Sequence, residues 1–298
     1  MNTSPAIAVL ATGLNGLVGS RIHRDYSDQY SFTNLDISDP VNPTDITNLD
    51  QVKRVFATSE AEFVIHLAAF TDVTAAWQQQ GDKDGVAYRV NVIGTENIVK
   101  AASEYHKHLI HISTAYVFDG KKEASYLEAD ETSPIEWYGE TKARAESIIQ
   151  ASNSAWTVLR IDQPFRSDPF PKLDVAHKII EGIKANTLYP QFTDHYFGPT
   201  FINDFSRVIE WVLRTKTKGL YHASSGERWT DFDFASSINT QLGLGGSVKG
   251  SSINEYLKTA TRPYQLNTAL NSDKLQAQLD FSLSSVADAI SKIEVTTP

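Results

Sequence analysis

Ile7-Ala8-Val9-Leu10-Ala11-Thr12-Gly13-Leu14-Asn15-Gly16-Leu17-Val18-Gly19 is the stretch that decides the fold. Its apolar start reads as a buried parallel strand. Glycines then recur at 13, 16 and 19, where the strand must turn into a helix. Glycine there permits a tight turn, lets the backbone approach a ligand, and lets the helix pack close to the sheet. The amides of the helix's first turn favour an anion, and a dinucleotide pyrophosphate is the usual occupant. The spacing is G-x-x-G-x-x-G, a partial match to the G-x-G-x-x-G fingerprint.

A second strand is expected over Ser31–Asp36, and Asp36 stands 17 residues past Gly19. A carboxylate there suits the hydroxyls of an adenosine ribose and repels a 2′-phosphate, which tilts the cofactor toward NAD over NADP. After a loop over residues 38–43, Asp45-Ile46 either faces an adenine ring or, through Asp45, caps the next helix. That helix is expected over Leu49–Thr58, with Leu49, Val52, Val55 and Phe56 on one face. A third strand over Phe63–Ala69 ends in small residues, as a ligand crevice at the carboxyl end of a sheet requires.

Further along, a long helix is expected over Val86–Tyr105 and a strand over Leu109–Thr114, followed by a charged loop over Ala115–Ser133. Ser133-Pro134-Ile135-Glu136 resembles a capping box opening a helix that runs to about Gln150. Trp156–Ile161 is one more strand. Five strand–helix alternations within about 160 residues argue for an α/β, doubly wound parallel sheet of the Rossmann kind. Prolines 164, 169, 171, 190 and 199 then break the pattern. The expected organisation is a dinucleotide-binding domain over 1–165, joined by a returning strand near 219–223, and a mostly substrate-binding region over 166–298. Val208–Leu213 reads as helix, and the tail from Trp229 as helices and turns.

Bulk properties narrow the class. A formal net charge of −9 argues against nucleic acid or an anionic membrane as the main partner. The absence of cysteine excludes disulfides, thiolate metal sites and a cysteine nucleophile. The first five residues lack signal-peptide character, and no run approaches the ~18–20 apolar residues of a membrane span, so a cytoplasmic location is expected. His106, His108 and His111 lack a matching carboxylate partner, and no metal is expected there.

Tyr138 and Lys142 are four apart and share one helix face. A phenol with a reference pKa of ~10 is a poor proton donor or acceptor near neutrality unless a nearby cation stabilises its phenolate. Lys142 supplies that cation and reaches ribose hydroxyls. Thr114, at a strand mouth, offers a hydroxyl to a carbonyl oxygen. The set fits hydride transfer with Tyr138 as proton donor.

The chain resembles the extended short-chain dehydrogenase/reductases, and within them the dTDP-4-dehydrorhamnose reductase family. The matching residues are Thr12-Gly13-x-x-Gly16-x-x-Gly19, Leu67-Ala68-Ala69, Ser113-Thr114-Ala115-Tyr116-Val117-Phe118-Asp119-Gly120 and Tyr138-Gly139-Glu140-Thr141-Lys142. Gly198-Pro199-Thr200, Gly219-Leu220-Tyr221-His222, Arg262-Pro263, Leu270-Asn271 and Lys274-Leu275 carry the likeness through the C-terminal half. The resemblance implies a catalytic Thr114, Tyr138 and Lys142. It implies NADP or NAD held by Gly13, Asn15, Gly16, Leu17, Val18, Gly19, Asp36, Asp45, Ile46, Ala68, Ala69 and Phe70, together with Tyr138 and Lys142. It also implies reduction of a 4-keto nucleotide sugar, with Thr71, Thr114, Gln163, Pro199 and Arg262 on the substrate side. The expected partner is that small molecule, with a homodimer left open.

Two departures touch the substrate side. Ala115 stands where the family has Asp, and Arg160-Ile161-Asp162-Gln163-Pro164 replaces its Arg-Thr-Ser-Trp. They keep open a non-catalytic, cofactor-binding regulatory subunit resembling that of methionine adenosyltransferase, or a nucleotide-sugar epimerase. A dehydratase would place acidic residues directly after Thr114, where Ala115-Tyr116 stand.

Overall fold

The computed structural model describes residues 6–39 and 43–295. The first five residues and positions 40–42 of the loop after Asp36 lie outside the described residues, as do the last three. The first strand, β1 (Ile7–Thr12), pairs in parallel with β2 (Tyr30–Leu35) on one side and β3 (Phe63–His66) on the other. β3 pairs in parallel with β4 (His108–Thr114), and β5 (Trp156–Ile161) and β6 (Gly219–His222) complete a six-stranded sheet of order β6-β5-β4-β3-β1-β2. The chain therefore reverses direction across the sheet between β1 and β3. In open α/β sheets ligands bind at the carboxyl ends of the strands beside that reversal.

Two compact units are distinguished. One takes residues up to Val117 with Glu136–Leu159 and Ile209–Leu220; the other takes Phe118–Ile135, Arg160–Val208 and Tyr221 onward. In the first, Leu10, Val64, Leu109 and Val158 from the sheet pack with Val52, Phe56, Ile98 and Ile149 from the helices. These strands are buried on both faces, which is why they read as unbroken apolar runs. The second unit has its own core of Phe165, Phe197, Phe201 and Phe234 against Ile179, Ile180 and Ile290. Its strands are only two residues long and pair as Pro164–Phe165 with Thr200–Phe201, Gln191–Phe192 with Gly250–Ser251, and Tyr196–Phe197 with Trp229–Thr230.

Several elements depart from the sequence expectation for local reasons. α1 spans Gly19–Tyr26, and α2 spans Leu49–Thr58, capped by Asn48 rather than Asp45. Asp45 instead closes a turn by accepting from the amide and hydroxyl of Thr47, both at 2.8 Å. β3 stops at His66, and Leu67–Phe70 continues as irregular chain. The expected helix 86–105 is Val86–Tyr88, then a wider π-helical segment Arg89–Gly94, then α3 (Thr95–Glu104). The helix expected from Ser133 begins at Trp137. There α4 (Trp137–Gln150) is capped by Glu136, whose carboxylate accepts from Tyr138 and Gly139 amides at 2.7 Å, so no Ser133 capping box forms. Ile202–Thr215 is one helix, longer than the Val208–Leu213 expected. Among the described residues no helix is long and apolar enough to cross a membrane.

Candidate active site

The glycine turn is built as its sequence demands. Gly13 takes φ +66°, and a Cβ there would lie 2.8 Å from the Ala68 nitrogen. A Cβ on Gly19 would lie 2.6 Å from Leu14 Cα, so the start of α1 sits on its own turn without room for a side chain. Val18, at the cap, supplies no side-chain acceptor to the first-turn amides, and that turn holds no acidic residue. Asn15 and Gly16 are exposed beside them. A turn closed to side chains and a helix end with no built-in anion match the pyrophosphate of a dinucleotide.

Thr12 and Asn91 fix the end of β3 beside this turn. The Thr12 hydroxyl accepts from Ala68 N at 3.0 Å, and the Asn91 side chain grips the Phe70 backbone. Ala68, Ala69 and Phe70 are left half-buried at the strand end. Asp36 follows β2, its Oδ1 accepting from the Ser38 amide at 2.9 Å and hydroxyl at 2.7 Å. Ile46 is buried against Gly94, and its carbonyl accepts from Asn97.

Thr114 ends β4 and is buried; its hydroxyl oxygen accepts from the Tyr116 amide at 3.2 Å. α4 begins against the turn that follows. Gly139 is required there, because a Cβ would fall inside the envelope of the Tyr116 carbonyl oxygen and 2.8 Å from Glu136 Oε1. That contact seats Tyr138, whose ring meets Tyr116 edge-on at 5.9 Å between centroids. One helical turn on, Lys142 is buried and donates to His111 Nε2 at 2.9 Å and to the Ile112 carbonyl at 2.8 Å. Burial pulls its pKa down to about 7, with Glu146 acting in the opposite direction. His66 falls to about 3 and His111 well below its usual value, first through burial and then through the Lys142 charge.

The model of the RmlD substrate binding domain family matches residues 7–295. The chain belongs to that family. A relative within reach of it, the probable low-salt glycan biosynthesis reductase of Haloferax volcanii, is 26% identical over 293 residues, covering 95% of this chain and 96% of the relative. The dTDP-4-dehydrorhamnose reductase of Sinorhizobium fredii is 30% identical over 229 residues, covering 72% and 73%. Among solved structures, dTDP-4-dehydrorhamnose reductase from Bacillus anthracis in complex with NADP superposes with a TM-score of 0.86 at 24% identity. It covers 97% of this chain and 98% of that one, a likeness of fold.

Of the residues assigned to the substrate side of this RmlD-family chain, Thr71 is exposed in the first unit, in the segment before the short helix Val73–Trp77. Gln163, Pro199 and Arg262 belong to the second unit. Gln163 has φ +36°, and Pro199 is buried. Arg262 lies over the Tyr264 ring at 3.6 Å, and its buried Nε has no hydrogen-bond partner among the described residues. His66, His111, Asn91 and Thr141 are the residues around the lysine and tyrosine that sequence reasoning did not assign to the site. A histidine inside an apolar strand gives no signal of which helix its ring will face. His108 instead bonds Thr157 at 2.8 Å, and among the described residues no group of three or more His, Asp or Glu could hold a metal ion.

Proposed function

We propose that this protein reduces the 4-keto group of a nucleotide sugar of the dTDP-4-dehydrorhamnose kind, with NADP or NAD as cofactor. The observation that carries the reading is the assembly, in one compact unit, of a side-chain-free anion turn, the strand-end Thr114, and Tyr138 and Lys142 one turn apart on α4. Membership of the RmlD family and reductase relatives at up to 30% identity support it over the regulatory-subunit and epimerase alternatives.

Gly13 to Gly19 would hold the pyrophosphate, Asp36 the adenosine ribose, and Ala68–Phe70 the face beside the nicotinamide. When bound, the cofactor supplies the hydride. The remaining chemistry belongs to the chain. The Thr114 hydroxyl already accepts from Tyr116 and keeps its own proton to donate to the substrate carbonyl oxygen, which fixes that oxygen near Tyr138. As the C=O carbon gains hydride, its oxygen becomes an alkoxide and takes the phenolic proton of Tyr138, giving CH–OH and a phenolate. The Lys142 ammonium lowers the energy of that phenolate. The cytoplasmic location expected from the sequence, and the homodimer it leaves open, are part of the same proposal, tested by fractionation and light scattering.

The test is oxidation of NADH or NADPH by the purified protein on a panel of 4-keto nucleotide sugars, run beside a thermal-shift screen of the same ligands. Turnover on one of them is expected. Stabilisation by cofactor with no turnover on any would favour the regulatory-subunit alternative and refute the reductase reading.

A further inference from the structure

An ammonium has three N–H groups and no acceptor. Two of the three on Lys142 are taken by the chain itself, by His111 Nε2 and by the carbonyl of Ile112. His111 must therefore present Nε2 as a lone pair, so the proton of the neutral ring lies on Nδ1. That Nδ1 is buried and has no hydrogen-bond partner among the described residues. The ring gains nothing on its other side, so its one hydrogen bond is the one that holds the lysine.

His66 lies beside it, with ring centroids 5.1 Å apart. Its tautomer is fixed as well. The Thr95 hydroxyl donates to the Asn91 carbonyl at 2.7 Å, so its oxygen must accept from His66 Nε2 at 3.0 Å. With the proton of the neutral ring on Nε2, Nδ1 is a lone pair and accepts from the Thr12 hydroxyl at 2.7 Å, while the Thr12 oxygen accepts from Ala68 N. Burial and the Lys142 charge keep both rings neutral, and in this tautomer His66 has no donor or acceptor left to compete for the ammonium.

We propose that His111 is the positioning residue of the site: its Nε2 lone pair, with the Ile112 carbonyl, fixes Lys142 so that the third N–H remains for a ligand hydroxyl. This rests on the reading of the site given above. The titratable groups that act on Lys142 or feel its charge are His66 on β3, His111 on β4 and Glu146 one turn on along α4, and Tyr138 stands one turn back on the same helix. Glu146 favours the charged lysine and burial opposes it. Loss of an acceptor bonded to the ammonium therefore favours the neutral amine.

The parent protein provides the first test. Nitrogen-15 NMR of its histidines is expected to find His111 Nε2 unprotonated and Nδ1 protonated; a proton on Nε2 would overturn the proposal without any variant. The second test follows the Lys142 side-chain resonances, assigned with Lys142→Met, through a pH titration. His111→Phe is expected to lower the lysine midpoint by about one to two pH units, and His111→Gln, whose oxygen accepts, to restore it. A midpoint unmoved in a folded His111→Phe protein contradicts the proposal. In turnover, the alkaline limb of the pH profile moves to lower pH in His111→Phe and returns in His111→Gln. The tautomer and the titration need neither cofactor nor substrate. A parent that shows both yet reduces no 4-keto nucleotide sugar would sink the functional reading alone.

Discussion

The side chain of Asn91 satisfies both polar groups of the Phe70 backbone, accepting from its N–H at 2.8 Å and donating to its carbonyl at 3.1 Å. Its second amide hydrogen goes to Thr141 Oγ1 at 2.9 Å, and the Thr141 hydroxyl donates to the Tyr138 carbonyl at 2.7 Å. One amide thus ties the end of β3, where the cofactor is expected, to the helix turn that carries Tyr138. Asn91→Ala strands these buried groups, and each unsatisfied one costs about 1–3 kcal/mol. A lower denaturation midpoint is expected, together with weaker cofactor binding. A variant with the parent's midpoint and affinity would show that the tie is unimportant.

Gly139 predicts a steric result. A methyl there meets the Tyr116 carbonyl, a backbone atom that cannot swing away. Overpacking of this kind costs about 1–3 kcal/mol, and here it also lifts Tyr138 from its seat. Gly139→Ala should lose stability and lose more kcat than its stability loss explains. The comparison is a urea melt beside initial rates.

Acid should weaken the fold. His66 and His222 have folded pKa values of about 3, and His111 also lies far below the ordinary value, in each case first through burial. Depressed values mean that the folded state binds fewer protons, so this stability is complete above about pH 6.5 and is lost as pH falls toward 3. At pH 5.5 the His66 and His222 rings each cost about 1.4 kcal/mol, and His111 adds in the same direction. Urea midpoints measured from pH 8 to 5 should fall below pH 6.5; a flat profile would contradict the buried neutral rings.

Asp162 acts with the opposite sign. Its Oδ2 accepts from Gly198 N at 2.9 Å and Thr268 Oγ1 at 2.7 Å, while the buried Oδ1 has no hydrogen-bond partner among the described residues. Burial raises its pKa to about 7, against the pull of those bonds. The folded state here binds more protons, so its contribution is complete below about pH 4 and is lost as pH rises through about 7. Asp162→Asn should therefore be more stable than the parent above pH 7, by about 1–3 kcal/mol, with the gap closing toward pH 4. The variant should also lose stability more steeply in acid, because the partial compensation of the histidines is gone.

Asp36 bears on cofactor choice. The Ser38 amide and hydroxyl hold its carboxylate at the end of β2. A like charge there disfavours a 2′-phosphate by about 1 kcal/mol in a solvated setting. NADH should show the lower KM, and Asp36→Asn should narrow its advantage over NADPH. Equal KM values for the two cofactors in the parent would remove the charge argument.

What the sequence made legible was whatever its periodicity and glycine spacing control. The sequence predicts a helix over Leu49–Thr58 and α2 spans those residues, because four apolar positions share one face; the cap, Asn48, is not the Asp45 that the sequence offers. The sheet followed from apolar runs separated by helices. The π-helical segment Arg89–Gly94 leaves no mark in the sequence: it ends where Gly94 meets the Ile46 side chain, and the Ile46 carbonyl, 51 residues before Asn97, accepts from that asparagine; only folding brings them together. The start of α4 was misplaced because Ser133 and Glu136 have capping-box spacing, whereas Glu136 satisfies two amides by itself from the cap position. The two-residue strands of the second unit are too short to show any period. Tyr138 and Lys142 could be paired by their spacing on one helix; His111, which bonds that lysine, lies 31 residues away on a strand and could not.

The most direct test of the account is Tyr138→Phe, assayed by loss of reduced-nicotinamide absorbance on the 4-keto nucleotide sugar that the parent turns over. The ring and its contact with Tyr116 remain, and only the transferable proton is removed. A fall in kcat of about 10²–10⁴-fold with cofactor affinity preserved is expected. Turnover at the parental rate would contradict the assignment of Tyr138 as the proton donor.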